Sequence, residues 1–476
     1  MKRTKILVTL GPATDDPEVL SGIIRAGADV VRINFSHGEL NEHRRRVEMV
    51  REVSAQVDRD VAVVGDLQGP KIRIDRFADG SVELADGATF VLDASLDPDA
   101  GTIDTVGVSY KTLPADVNSG DKLLLNDGAI SLDVVEVEGD RIRCTVRTGG
   151  LLSDNKGINR HGGGLSARAL TDKDHEDIKI AAELGIDYLA VSFPRDGADI
   201  QQARKLIREA GSDALLIAKI ERADAVENLT EIILASDAIM VARGDLGVEM
   251  GIAEVPAIQK RIIRAARREN RLTITATQMM ESMVHERIPT RAEVSDVANA
   301  VIDGTDAVML SAETAVGEYP VEVVKAMSNA CKSAEKVRSV VRSRHRMDDR
   351  FDRIDEAVAM ASMYVANHLD VKAIVALTES GSTPLWMSRI RSGMPVYAFT
   401  RHVTTRRRVA LYRGVYPISF DIVDAESDVV FRGVCAKLLH YDLAKVGETI
   451  ILTEGMHSGV GGGTNTMKVV QVVAPE

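Results

Sequence analysis

Eight short apolar runs, each followed by a longer amphipathic run, recur through the first 340 residues, and few folds accommodate such a series. The strand-like runs cover 5–10, 29–35, 61–66, 188–193, 215–220, 238–242, 272–277 and 307–310. The helix-like runs cover 15–26, 42–54, 172–184, 200–210, 223–234, 254–269, 291–302 and 321–340. Eight strand–helix units in series predict a (β/α)8 barrel, with a doubly wound open sheet as the competing arrangement.

Successive strand starts are roughly 24 to 35 residues apart except the third and fourth, which are separated by about 127. An insertion therefore occupies 70–166. It alternates polar and apolar residues, as in VEVEGDRIRCTV (135–146), and the pairs Asp79-Gly80, Asp86-Gly87 and Asp127-Gly128 punctuate it as turns. A small antiparallel β domain, hinged over the barrel mouth, is expected there. Past the charged stretch 342–353, five more strand-like runs begin, the first four separated by helical segments, which predicts a third, α/β domain. The expected division is 1–69 with 167–345 for the barrel, 70–166 for the lid and 346–476 for the C-terminal domain. No solenoid repeat or low-complexity tail interrupts it.

Composition narrows the classes of function. The net charge of -12 disfavours a general nucleic-acid or anionic-membrane binder, and no apolar stretch reaches the roughly 18 residues of a membrane span. The basic runs 44–46, 261–271 and 401–413 read as solvated helix faces or subunit contacts. The N-terminus has no cleavage signal, and Cys144, Cys331 and Cys435 lack metal spacing, so a cytoplasmic location with three reduced, buried cysteines is expected.

Barrel chemistry gathers at the C-terminal ends of the strands. The second run ends RINFSHG (32–38), where Arg32, Asn34 and Ser36 share one face and Arg32 suits a phosphate. The third ends GDLQGPKIR (65–73), with Asp66 at the mouth and Lys71 and Arg73 leading into the insertion. The fifth ends IAKIERADAV (217–226), where Lys219 is costly to bury without a partner. The sixth ends VARGDLGVE (241–249), read as a Gly-rich turn that offers the amides of Gly244 and Asp245 to an anion. Glu221 and Asp245 on adjacent strands suit one magnesium or manganese ion, the alternative being that Asp245 merely neutralises Lys219. Thr277 and Glu313 close the seventh and eighth runs.

RINFSHG, GDLQGPKIR, NKGIN (155–159), KIERADAV, VARGDLGVE, TATQMMESM (275–283) and MLSAETAVGEYP (309–320), in that order, resemble the pyruvate kinase family. The resemblance covers essentially the whole chain and is of bacterial type. It implies phosphoryl transfer from phosphoenolpyruvate to ADP, giving pyruvate and ATP. Arg32 would hold the phosphoryl group, Lys219 would stabilise transition-state charge, and Glu221 and Asp245 would hold Mg2+ or Mn2+. Gly244, Asp245 and Thr277 would contact the substrate; Asn34, His37, Arg73 and Lys156 would serve the nucleotide. The monovalent-cation region would comprise Asn34, Ser36, Asp66, Leu67 and Lys71. Potassium-requiring members have Glu in place of Lys71 and Thr in place of Leu67. Here Lys71, Leu67, Gln68 and Ile74 resemble the potassium-independent type, an ammonium supplying the missing charge. Val316 stands where some relatives have Lys.

In the last domain, TESGST (378–383) provides Thr378, Ser380, Gly381, Ser382 and Thr383 as an anion cradle, with the loop 457–466 above it. The resemblance implies a phosphorylated effector there and a homotetramer. Glu379, at a position basic in fructose-bisphosphate-activated forms, points instead to a sugar monophosphate or AMP. Two rivals stand beside this reading: a metal-dependent lyase or aldolase acting on pyruvate enolate, and a catalytically silent sugar-phosphate sensor. Neither accounts for all the matched segments with Lys219, Glu221, Asp245 and Thr277 intact.

Overall fold

In the computed structural model, which describes residues 1–337, 350–390, 392–421, 426–455 and 462–474, eight strands close into a barrel. They are Lys5–Thr9, Val30–Asn34, Ala62–Asp66, Tyr188–Val191, Leu215–Ile220, Ala238–Ala242, Leu272–Ala276 and Ala307–Leu310. The first pairs in parallel with both the second and the eighth, which excludes the open sheet. Closure leaves these strands buried on both faces, and so they read as apolar runs with little alternation. Contacts group the chain into two compact units.

The first unit comprises Met1–Gly65, Leu184–Leu189 and Ala266–Glu476. Its barrel helices include Pro17–Ala26, Leu40–Gln56, Arg291–Asp303 and Pro320–Ala334. Thr290 caps the third of these in a reciprocal arrangement with Glu293. The last helix stops short of the expected 321–340, and 338–340 lie outside the described residues. The C-terminal sheet runs Val415–Ser419, Val396–Thr400, Ala373–Leu377, Thr449–Gly455, Thr464–Gln471, with only the last strand antiparallel. Helices Ser382–Arg389, Val403–Val409 and Ser427–His440 connect it.

The second unit comprises Asp66–Glu183 and Ala190–Ala265. Its inserted segment forms a six-stranded sheet and a two-stranded one, mostly antiparallel, around Phe90, Leu92, Leu123, Leu132 and Ile142. The expected turns are present, with Gly80, Gly87 and Gly128 all at positive φ. The expected helix 223–234 is two helices, Ala223–Glu227 and Leu229–Ala235. They part at Asn228, whose side-chain amide donates to the Arg195 carbonyl (3.0 Å).

Arg389 binds the C-terminal segment to the barrel within the first unit. Its guanidinium is 1% exposed and forks onto Asp306, Nη1 lying 2.9 Å from Oδ2. Asp306 immediately precedes the eighth strand, and its Oδ2 also accepts from Thr273 N (2.8 Å). Removing one partner strands the other charge out of water. Arg389→Met is therefore expected to cost about 3–5 kcal/mol of unfolding free energy, read from denaturant melts.

Candidate active site

In the second unit, one ammonium group organises the strand ends. Lys219 lies in the strand Leu215–Ile220, flanked by the buried Ala218 and Ile220. Its side chain is 12% exposed, so its charge needs partners. Its partners include Ser192 Oγ at 2.7 Å, Glu221 Oε1 at 3.0 Å and Asp66 Oδ1 at 3.3 Å. Asp245 Oδ1 receives Lys71 Nζ at 3.2 Å.

Glu221 is almost wholly buried, and its other oxygen accepts from Phe193 N (2.9 Å). Burial, first, and the neighbouring charges of Asp245 and Asp66 push its carboxyl up to about 7, against the pull of Lys219. Three carboxylates thus share two lysines, an arrangement receptive to one more cation. Among the described residues no group of three or more His, Cys, Asp or Glu is disposed to hold a metal ion. Any ion here would have two protein carboxylates and take its other oxygens from substrate or water.

The expected Gly-rich turn at Gly244 and Asp245 is the opening of a helix, Arg243–Met250. The sixth strand ends at Ala242, which is also the N-cap, leaving no room for a separate turn. Asp245 thereby sits in a first helical turn, where backbone amides lack intrahelical acceptors and favour negative charge.

Arg73 and Lys156 meet in the inserted sheets: Ile74 N donates to Lys156 O (2.9 Å), Arg73 Nη1 donates to Asn155 O (2.9 Å), and Arg73 bridges Gly157. Both residues are half-buried. Leu67 is buried and offers no hydroxyl to a cation; its carbonyl accepts from Ser192 Oγ (2.7 Å).

The first unit carries the remaining strand ends. Burial alternates along the second strand and beyond it, Arg32, Asn34 and Ser36 being half-buried between Ile33 and Phe35. Arg32 Nη1 donates to Thr9 Oγ1 (3.2 Å), and Asn34 Oδ1 accepts from Ser36 N (3.2 Å). His37 is exposed. Thr277 lies just past the strand Leu272–Ala276 at φ 67°, with Gln278 at 52°; for a β-branched residue this is strained backbone of the kind that gathers at working sites. Glu313 is turned inward, accepting from Met280 N (3.1 Å) and Ser311 N (2.6 Å), and so acts as a buried brace for two loops. Val316 is exposed.

At the C-terminal sheet, Gly381 N-caps Ser382–Arg389 at φ 84° and donates its N–H to Thr378 Oγ1 (2.9 Å), while Ser380 and Ser382 pair through their hydroxyls. Thr383 departs from the expected cradle: its hydroxyl is buried against Thr464 Oγ1 at 2.6 Å. Glu379 pairs with Arg401 and His402. Residues 457–461 of the loop above, and 342–349 of the charged stretch, lie outside the described residues.

Ser192 was not singled out by the sequence, because attention to charged strand ends passes over a serine. The signal available was a polar residue following the apolar strand Tyr188–Val191. Gly69, at φ 65°, supports it: a Cβ there would come within 2.8 Å of Ser192 Cβ.

A closed α/β barrel, a β insertion after its third strand and a carboxylate-bound lysine at the fifth define a class of split-barrel enzymes. Comparison with known proteins agrees at the level of sequence. Residues 1–324 match the family model described as pyruvate kinase, barrel domain, and 356–470 match pyruvate kinase, alpha/beta domain. The chain is 54% identical over 477 residues to pyruvate kinase II of Salmonella typhimurium, covering 99% of both chains. It is 53% identical to pyruvate kinase of Buchnera aphidicola, again over 99% of both, and 41% identical to that of Mycobacterium intracellulare, over 99% of this chain and 98% of the relative. The chain belongs to the pyruvate kinase family and is a phosphotransferase of that kind.

Ser192→Ala removes a neutral acceptor that aims Lys219. The expected result is a roughly tenfold fall in kcat with little change in KM for phosphoenolpyruvate, largely restored in Ser192→Thr; unchanged kcat would show that the two carboxylates alone hold the lysine.

Proposed function

We propose that the chain carries out Mg2+- or Mn2+-dependent phosphoryl transfer from phosphoenolpyruvate to ADP as the last step of glycolysis, in the cytoplasm and as a homotetramer. The observation that carries the reading is Lys219 held by Ser192, Asp66 and Glu221 in a chain of this family. Among the described residues no helix is long and apolar enough to cross a membrane. We take 1–69 with 167–345 as the catalytic barrel, 70–166 as the lid and 346–476 as the effector domain.

Phosphoryl transfer rests on positioning and charge stabilisation more than on covalent help from the protein. The bond from the enol oxygen to phosphorus breaks, a terminal ADP oxygen bonds to that phosphorus, and the enolate left behind takes a proton at carbon. Arg32 holds the phosphoryl group and Lys219 bears on its oxygens as charge spreads over them. Arg73 and Lys156 hold the nucleotide phosphates, with Asn34 and His37 beside the nucleotide. Gly244, Asp245 and Thr277 seat the carboxylate end of the substrate. Glu221 and Asp245 fit a divalent ion, because both are hard oxygen donors and because the raised Glu221 carboxyl gains from an added positive charge. When bound, that ion supplies Lewis-acid stabilisation of the enolate oxygens.

Lys71 supports independence from potassium: its ammonium already bears on Asp245, and the Leu67 side chain offers no oxygen to a cation. ATP formation from phosphoenolpyruvate and ADP with magnesium is expected at full rate in potassium-free buffer. A large stimulation by potassium at saturating magnesium would discard this reading of Lys71 while leaving the family intact. No turnover in either buffer would count against the reaction itself.

The loop 378–383 is proposed to take a sugar monophosphate or AMP through Thr378, Ser380, Gly381 and Ser382. Thr383 contributes packing there, since its hydroxyl is engaged by Thr464. Glu379 adds an acidic neighbour that disfavours a second phosphate. Either effector is expected to lower half-saturation at low phosphoenolpyruvate; an unchanged curve would leave the loop as a chain turn.

A further inference from the structure

Two neighbouring residues of the second unit, Ser192 and Phe193, steady the end of the fifth strand. Ser192 Oγ accepts from Lys219 Nζ (2.7 Å) while donating its proton to the Leu67 carbonyl (2.7 Å). Phe193 N donates to Glu221 Oε2 (2.9 Å). Phe193 itself sits at φ 53°, a sparsely populated conformation for a residue with a bulky side chain, which persists only where surrounding structure enforces it.

Gly69 is the neighbour that enforces it. It lies just before the insertion at φ 65°, so close that a Cβ would come within 2.8 Å of Ser192 Cβ, 3.0 Å of Ser192 O and 3.1 Å of the Phe193 ring. Glycine tolerates both that φ and that approach. Asp174 in turn holds Gly69, its Oδ1 accepting from Gly69 N at 3.1 Å.

Asp174 is fully buried, and its other oxygen accepts from Thr171 N (2.8 Å) and Thr171 Oγ1 (2.7 Å). Asp174 N donates in return to Thr171 Oγ1 (3.2 Å), closing a reciprocal cap on the helix Asp172–Glu183. A carboxylate out of water is costly unless donors meet it, and here they come from both sides of the insertion. The cap alone would use only Oδ2. Oδ1 is turned instead to the backbone that presses on Ser192 and Phe193.

We propose that Asp174 is a positioning residue for phosphoryl transfer: through Gly69 it fixes the Ser192–Phe193 segment and so aims the Lys219 ammonium and the Glu221 carboxylate together. This rests on the reaction proposed above. The competing account, a helix cap and nothing more, requires Asp174 and Thr171 to matter alike.

The test uses variants of the full-length protein, measuring thermal midpoint, kcat and KM for phosphoenolpyruvate with magnesium, and Mn2+ affinity by electron paramagnetic resonance without substrates. Asp174→Ala is expected to lower kcat about tenfold with little change in KM, and to weaken Mn2+ binding at least about threefold. Thr171→Val removes the capping hydroxyl and spares the Gly69 contact, so it should lower the midpoint and leave kcat and Mn2+ affinity unchanged. Gly69→Ala keeps Asp174 and pushes directly on Ser192; it should reproduce the fall in kcat, and it carries the test should D174A not fold. The double variant D174A/S192A should lose far less than the roughly hundredfold product of the single losses, because both act on one lysine. Single losses that multiply in the double variant, a T171V kcat as low as that of D174A, or wild-type kcat and Mn2+ affinity in both D174A and G69A would overturn the proposal. A wild-type protein without turnover would count against the reaction instead, and Mn2+ affinity would still report on Glu221.

Discussion

An ammonium group cannot sit at the end of a buried strand without acceptors, and Lys219 has them. Ser192, Asp66 and Glu221 reach it from three different strand ends. Their geometry requires the strand beginning at Ala62, the strand beginning at Tyr188 and the strand beginning at Leu215 to be neighbours in a fixed register, and the barrel order supplies that. In turn, Glu221 is destabilised as an anion by burial and by the two aspartates near it. Cations therefore hold this end of the barrel together, and the cluster is balanced only while each has its place.

The barrel was legible because burial on both faces leaves so little freedom in composition. Strands at 215–220, 238–242 and 307–310 fall where the apolar runs lie, and the others shift by a residue or two at their ends. Those small shifts matter at the site. Thr277 lies beyond its strand at positive φ, a conformation that hydrophobic periodicity does not encode. The Gly244 segment reads as a turn because two glycines flank Asp245 and Leu246, yet the backbone helix starts there directly. Asn228 splits one amphipathic pattern into two helices through a hydrogen bond to a residue 33 positions earlier. Ser192 was illegible for a different reason. A serine after an apolar strand is unremarkable until the lysine it faces is known, and that lysine is 27 residues away.

Arg389 and Arg407 illustrate how similar residues differ by environment. Both lie on helices of the C-terminal segment, and sequence alone placed Arg407 in a basic run read as a solvated helix face or a subunit contact. Arg389 is fully buried and saturated by Asp306 and the Arg271 carbonyl, so its charge is a structural element. Arg407 is only half-buried and faces a cavity rich in its own sign. Burial and the fit of the partner, which no composition reveals, separate the two.

The inserted segment is tethered within the second unit by polar contacts to the same strand ends. Lys71 pairs with Asp245, Arg222 donates to the Leu165 carbonyl, and Asn159 donates to Glu249 (3.5 Å). Glu249 also accepts from Ala223 N (2.9 Å), so the three contacts form one belt around the segments that follow the fifth and sixth strands. Lys71 and Asp245 are 28% and 21% exposed, so their pair is the most hydrated of these and the most readily exchanged. Under the proposed reading, a divalent cation arriving at Asp245 would compete with Lys71 for the same oxygens. Such an exchange would replace one cation by another, keeping the carboxylates neutralised and releasing the ammonium at the base of the insertion. The base of the insertion and the proposed ion site would then share a single carboxylate, because Lys71 lies at the start of the insertion and Asp245 in the first turn of the helix after the sixth strand.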